Sequence, residues 1–206
     1  MVNNDLDPYN LNIIEEANKL RIQNNLLDPY FNLINFLDLH NSDERAVLCP
    51  LPNDSPELIA CEGSCSPFQK IIYIREADYN RLVDLSKNPN LQLTALDKRL
   101  RFTIAHELGH VVLIGNDASY LFFRKEGKEL PPYKDPEKQA NCFAAALLVP
   151  SFYYLPVFCK LSVEEVADMC KASIACTRRQ LGLYQMLLEI YPNSPRIRML
   201  LGGDLI

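Results

Sequence analysis

Apolar residues at Ile13, Ile14, Ala17, Leu20 and Leu27 recur at roughly helical spacing, which predicts a helix within residues 10–27. Asp28-Pro29 reads as the start of a second helix, through Tyr30, Leu33, Ile34 and Leu37. The periodicity breaks over residues 43–69, where Pro50, Pro52, Pro56 and Pro67 punctuate short apolar pieces. Short strands joined by loops are expected there. Lys70-Ile71-Ile72-Tyr73-Ile74-Arg75 is the clearest strand, rich in β-branched and aromatic residues. Residues 76–98 read as two mainly helical pieces about an Asn88-Pro89-Asn90 turn. A helix over the stretch after residue 99 follows, then a polar loop over 115–134. Asp135-Pro136 next opens a helix that ends before Pro150, as proline in the first turn and beyond the last predicts. Ser162-Val163-Glu164-Glu165 is a capping box ahead of a helix to Cys170. Lys171-Ala172-Ser173 reads as a turn, and Ile174 to Leu188 as a further helix.

One helix carries unusual chemistry. His106-Glu107-Leu108-Gly109-His110 is an H-E-x-x-H run, with Arg101-Phe102-Thr103-Ile104-Ala105 before it and Val111-Val112-Leu113 after it. Residues four apart share a helical face, so both imidazoles can point at one ion, and the Glu107 carboxylate then lies beside a water on that ion. A zinc hydrolase uses this arrangement with the glutamate as general base. The bland alternative is a core helix that happens to carry two histidines.

A catalytic zinc takes three protein ligands and keeps one position open. No histidine follows His110, and His40 lies far upstream in an apparent helix exit. A downstream carboxylate is therefore expected, and Glu137 has the best helical context. Small residues at Ala140, Ala144 and Ala145 would let its helix approach a neighbour closely. The rivals are Glu126 and Glu129, in a mixed-charge run that reads as solvated loop, and Asp117, beside Gly115-Asn116 turn chemistry. Asn141, one turn beyond Glu137, is a candidate to orient a ligand histidine.

The run Arg101 to His110, followed by Glu137-x-x-Ala140-Asn141-x-Phe143-Ala144-Ala145-Ala146-Leu147-Leu148-Val149-Pro150, resembles the ImmA/IrrE family of metallopeptidases. The resemblance is strong over 99–150, looser over the strand at 70–75 and only suggestive elsewhere. It implies that His106, His110 and Glu137 bind zinc, that Glu107 is the base, and that the substrate is a regulatory protein resembling phage repressors. The fold expected is α+β: a mainly helical, zincin-like metallopeptidase domain with a small β-sheet, followed by a helical C-terminal segment. The corresponding domains are 1–155 and 156–206. The expected reaction is hydrolysis of a peptide bond, with a zinc water whose pKa falls toward about 7 giving its proton to Glu107. Manganese or cobalt can occupy the same ligand set. An oxyanion donor is also expected, with Tyr120, Tyr133, Tyr153 and Tyr154 as candidates. The 70–75 strand could hold an extended substrate along a free edge, or be an ordinary sheet member.

Composition narrows the alternatives. At 206 residues and 48% hydrophobic content, the chain suits one globular domain with or without a helical appendage. A formal net charge of −5 argues against a broad phosphate-binding surface. The longest apolar run, Cys142 to Val149, is too short to cross a bilayer, and the first residues show no secretory pattern, so the cytoplasm is the expected location. Seven cysteines, an odd number, fit reduced thiols. Cys49, Cys61 and Cys65 cluster near a Gly/Ser-rich stretch, where a structural zinc would lack a fourth ligand. Cys142, beside Asn141, is a possible redox-sensitive position. The two helices spanning 162–188 outline a helix-turn-helix with Arg178 and Arg179, but Ile174, Ala175 and Cys176 open the second helix and offer bases few hydrogen bonds. In the resembled family a Leu often follows the first of those arginines; here Arg179 does. The competing functions are a non-proteolytic sensor that binds a repressor-like partner, a DNA-binding regulator, and a small-molecule hydrolase.

Overall fold

A computed structural model describes residues 8–39, 46–88, 92–114 and 135–203. The fold is α+β and mainly helical, with a small three-stranded sheet. By contact the chain forms two compact units, one of Met1–Phe31 with Ala145–Ile206, the other of Asn32–Ala144. The division into 1–155 and 156–206 follows motif, whereas these units follow packing.

In the Asn32–Ala144 unit, α2 (Leu33–Leu39) starts later than Asp28-Pro29 suggested. Asn32 is the residue that caps it: its side-chain carbonyl accepts from the Asn35 amide at 3.1 Å, and its backbone carbonyl from Phe36 at 3.0 Å. The proline-punctuated stretch yields β1 (Val47–Leu51), a short 3-10 turn at Pro56–Leu58 and β2 (Gly63–Ser66). β3 (Ile71–Arg75) is the central strand of the order β1-β3-β2, parallel to β1 and antiparallel to β2. Both its edges are thus paired. The expectation that it offers a substrate an edge is corrected; β1 and β2 are the edge strands, each pairing with β3 alone among the described residues.

Lateral register puts Leu48, Ile72 and Cys65 in one row, and Ile74 beside Gly63. Leu48, Ile72 and Ile74 are buried. Sheet alternation therefore directs Gly63 and Cys65 toward the same packed face. α3 (Glu76–Ser86) leaves β3 directly, and α4 (Ala95–Ile114) follows. Asp97, fully buried in the first turn of α4, accepts from the Thr94 amide at 2.8 Å, from the Thr94 hydroxyl at 2.6 Å and from Arg81. α4 lies on β2 and β3, burying Leu100, Ile104, Ala105, Leu108 and Val111.

α5 (Pro136–Leu148) begins as its sequence predicts: the Asp135 carboxylate accepts from the Glu137 amide at 3.0 Å, with Pro136 next in the chain. Its last residues, from Ala145, belong to the other unit.

That other unit also contains α1 (Pro8–Gln23), α6 (Val163–Met169), α7 (Ile174–Ile190) and α8 (Pro195–Leu200). α1 stops before Leu27 because Asn25 takes a left-handed conformation (φ 54°) and the Leu26 amide turns back to Arg21 O at 2.8 Å. The capping box at Ser162 and Glu165 forms, Lys171 turns at φ 51°, and Ser173 caps α7, which gives the helix-turn-helix outline. Arg21 is fully buried and donates to Leu147 O at 2.8 Å and to Asp28 O, with its guanidinium over the Phe31 ring. Asn18 donates to the Ser151 hydroxyl at 2.6 Å, which donates to Leu200 O, and the Tyr184 hydroxyl donates to Val149 O at 2.6 Å. No helix among the described residues is long and apolar enough to cross a membrane.

Candidate metal centre

Four residues along α4 carry one face toward β2 and α5. Arg99, Thr103, His106 and Glu107 line a cavity of about 540 Å³ with Ile59, Glu62 and Glu137 among its other walls. The cavity lies wholly in the Asn32–Ala144 unit. Gly109 brings α5 close to α4: a side-chain carbon there would stand 3.1 Å from Ala140 Cα and 3.2 Å from Ala140 O. The small residue expected at Ala140 is one half of this contact, and Gly109 is the other.

The close approach delivers Glu137 to the histidines. His106 Nε2 lies 3.2 Å from Glu137 Oε2, His110 Nε2 lies 3.4 Å from Glu137 Oε1, and the two Nε2 atoms are 3.1 Å apart. Two atoms each about 2.0–2.1 Å from a zinc ion at the tetrahedral angle stand roughly 3.3 Å apart. Each observed spacing is close to that value, the two imidazoles approaching different oxygens of the one carboxylate. His106 Nδ1 lies 3.1 Å from Asn141 Oδ1, so the ring donates there and leaves its Nε2 lone pair free. Burial, then the His106 charge, holds the His110 pKa below its ordinary value despite the opposing pull of Glu137. A neutral imidazole is the form that binds a metal. The imidazoles are nearly enclosed, while Glu137 is 68% exposed and faces the cavity. The donor set of two imidazoles and one carboxylate fits a divalent ion, zinc first among them. It is the one His/Cys/Asp/Glu cluster of that kind among the described residues.

Glu107 is 9% exposed and lines the same cavity. Burial raises its pKa, Glu137 adds to the rise, and a hydrogen bond from Cys65 with the His106 charge opposes it. Cys65 was grouped in the sequence with Cys49 and Cys61, yet the three diverge. The Cys61 thiol turns to Glu57 O at 3.4 Å, and strand alternation puts Cys49 on the opposite sheet face from Cys65. The Cys65 thiol pKa is pushed up by burial and by the charges of Glu107 and Glu137. Sequence spacing offered no sign of this pairing, because the register of a four-residue strand sets it. Glu62, also unforeseen, accepts from Arg99 at 2.8 Å and from the Thr103 hydroxyl at 3.4 Å on the cavity wall.

The remaining sequence candidates fall elsewhere. His40, Asp117, Glu126, Glu129, Tyr120 and Tyr133 lie outside the described residues, as does most of the Asn88-Pro89-Asn90 turn. Tyr153 donates to Leu27 O, and Tyr154 packs its ring on Tyr184 with centroids 5.5 Å apart; both belong to the unit that lacks the cluster. Arg178 pairs with Glu164 at 3.7 Å, and Arg179 is exposed.

Residues 73–167 match the Peptidase M78 family model, the IrrE N-terminal-like domain. The match takes in His106, Glu107, His110, Glu137 and Asn141, and begins after β2. No curated protein matches this chain.

Proposed function

We propose, from the M78 peptidase domain in residues 73–167, that this chain is a metal-dependent endopeptidase acting on a regulatory protein of the phage-repressor-like kind. The observation that carries the reading is the convergence of His106 Nε2, His110 Nε2 and the Glu137 carboxylate on one point, with Glu107 beside it. His106, His110 and Glu137 would hold the ion, and Asn141 would fix the His106 ring through Nδ1. A divalent ion bound there, zinc by preference and manganese or cobalt by the same donors, would polarise a peptide carbonyl and acidify a water.

The chain's own groups supply the rest. Glu107 takes the proton of the attacking water and returns it to the amine nitrogen as the C–N bond breaks. Its raised pKa suits the first half of that task, since a stronger base takes a proton more readily than an ordinary carboxylate. The edge of β2 beside Glu107, unpaired among the described residues, would suit an extended peptide held by main-chain hydrogen bonds.

Metal content of the purified wild type, beside Glu137→Ala and His110→Ala, tests the proposal. Near one zinc per chain, lost in both variants, supports it. A wild type that stays metal-free after zinc is added back would sink it and favour a non-proteolytic partner-binding role.

A further inference from the structure

Glu62 and Arg99 both line the cavity and take no part in the chemistry described above. Arg99 Nε donates to Glu62 Oε2 at 2.8 Å, and the same oxygen accepts from the Thr103 hydroxyl at 3.4 Å. Only Nε is engaged: among the described residues, no hydrogen bond uses the two terminal nitrogens of Arg99, whose side chain is 69% exposed. The other cationic wall residue, Arg75, is committed to the fold. It donates to Leu58 O at 3.3 Å and to Cys61 O at 3.1 Å, and pairs with Asp78 at 4.0 Å. We propose that Arg99 is a specificity-determining residue, aimed by Glu62 to take an aspartate or glutamate side chain of the substrate through its terminal nitrogens. The proposal rests on the metallopeptidase reading.

An exposed ion pair contributes little to stability, so the worth of this one lies in aim. Glu62 accepts from two donors and is far less exposed than its partner, which makes it the fixed member. A guanidinium gripped at Nε keeps its fork of Nη1 and Nη2, which matches the two oxygens of a second carboxylate. Place follows from helix geometry. Arg99, Thr103, His106 and His110 succeed one another at spacings of four, three and four, so they share one face of α4. From Arg99 to His106 is about 10 Å along the axis, at roughly 1.5 Å per residue. An extended peptide covers about 3.3 Å per residue, so the acidic side chain belongs roughly three residues from the bond cleaved. β2 lies alongside: Glu62 meets Arg99, and Gly63, next in the chain, packs against Thr103 and Glu107. A peptide on the β2 edge would pass both Arg99 and Glu107.

The test uses the full-length, zinc-treated protein and has two arms. In the first, a position-scanned library of internally quenched fluorescent peptides is offered to wild type, Arg99→Gln and Arg99→Glu. At the position roughly three residues from the bond, Asp or Glu should raise wild-type kcat/KM about tenfold over Lys, the scale of one charge-assisted pair. Arg99→Gln should lose that ratio, and Arg99→Glu should invert it. A wild type with no acidic preference there, or an Arg99→Glu variant that keeps one, overturns the proposal.

The second arm needs no turnover. Short fluorescein-labelled peptides of Ala, Thr and Val, with one central Asp, Ala or Lys, are titrated against Glu107→Gln protein and read by anisotropy. Arg99 is either intact or replaced by Glu. With Arg99 present the Asp peptide should bind about tenfold more tightly than the Lys peptide, and added salt should narrow the gap. Arg99→Glu should reverse the order. Equal binding of the three peptides, or binding of none, overturns the subsite even in an active enzyme. A wild type that cleaves nothing, yet whose Glu107→Gln form shows the reversal, sinks the peptidase reading and leaves the Arg99 subsite standing.

Discussion

The two units bury polar side chains in opposite ways. In the unit of α1 and the C-terminal helices, Arg21, Ser151 and Tyr184 all end on backbone carbonyls, at Leu147, Leu200 and Val149. In the other unit, His106, His110 and Glu137 end chiefly on one another, beside a cavity that Glu107 also lines. A backbone carbonyl has a fixed place and no protonation change, so the first pattern fastens helices. Side chains that share lone pairs retain unused coordinating capacity, which under the proposed function would take an ion and move a proton. Burial alone does not mark a functional site; the nature of the partner does.

The contrast can be broken at several points. Glu107→Gln should keep its metal and lower kcat/KM by about 10²–10⁴, the usual share of general base catalysis, while thermal stability changes little. Peptide cleavage with parallel metal analysis checks this. Arg21→Met should do the reverse. It leaves carbonyls of Leu147 and Asp28 without this partner, and chemical denaturation should show a loss of about 3 kcal/mol with metal affinity unchanged. If Arg21→Met instead abolished metal binding, the division of labour between the units would be wrong. Asn141→Ala frees the His106 ring and should weaken zinc binding about tenfold or more in a chelator competition. Tyr184→Phe deletes one hydroxyl and should cost about 1 kcal/mol on denaturation, leaving cleavage intact.

The smallest effect sharpens the comparison inside the site's own unit. Burial alone would raise the Asp97 pKa, but its hydrogen bonds from Arg81 and Thr94 win and hold it below the ordinary value. A depressed carboxyl pKa contributes stability above the unfolded value and loses it as pH falls through the folded one. Asp97→Asn should therefore be less stable at neutral pH, and its acid denaturation should be less steep. An unchanged acid limb would remove Asp97 from the fastening groups.

What the sequence revealed depends on how local the cause was. His106, Glu107 and His110 were legible because helical spacing is a property of five consecutive residues. Glu137 was legible through its cap and the small residues of its helix, which foretold the approach that Gly109 and Ala140 make. The late start of α2 was missed because a proline dipeptide looked stronger than Asn32, whose side chain actually caps the helix. The edge position of β2 and the packing of Gly63 against Glu107 were not legible. Both follow from strand order and packing, which place Gly63 beside Glu107 across a separation no local pattern encodes.

Gly109 has a consequence for ion choice. Its contact with Ala140 sets the distance between the helix that carries both imidazoles and the helix that carries Glu137. The space open to an ion would thereby be bounded by a packing contact made by neither histidine nor carboxylate. A larger cation would have to part the two helices to enter, so selection by ionic radius would be enforced by a missing methyl group.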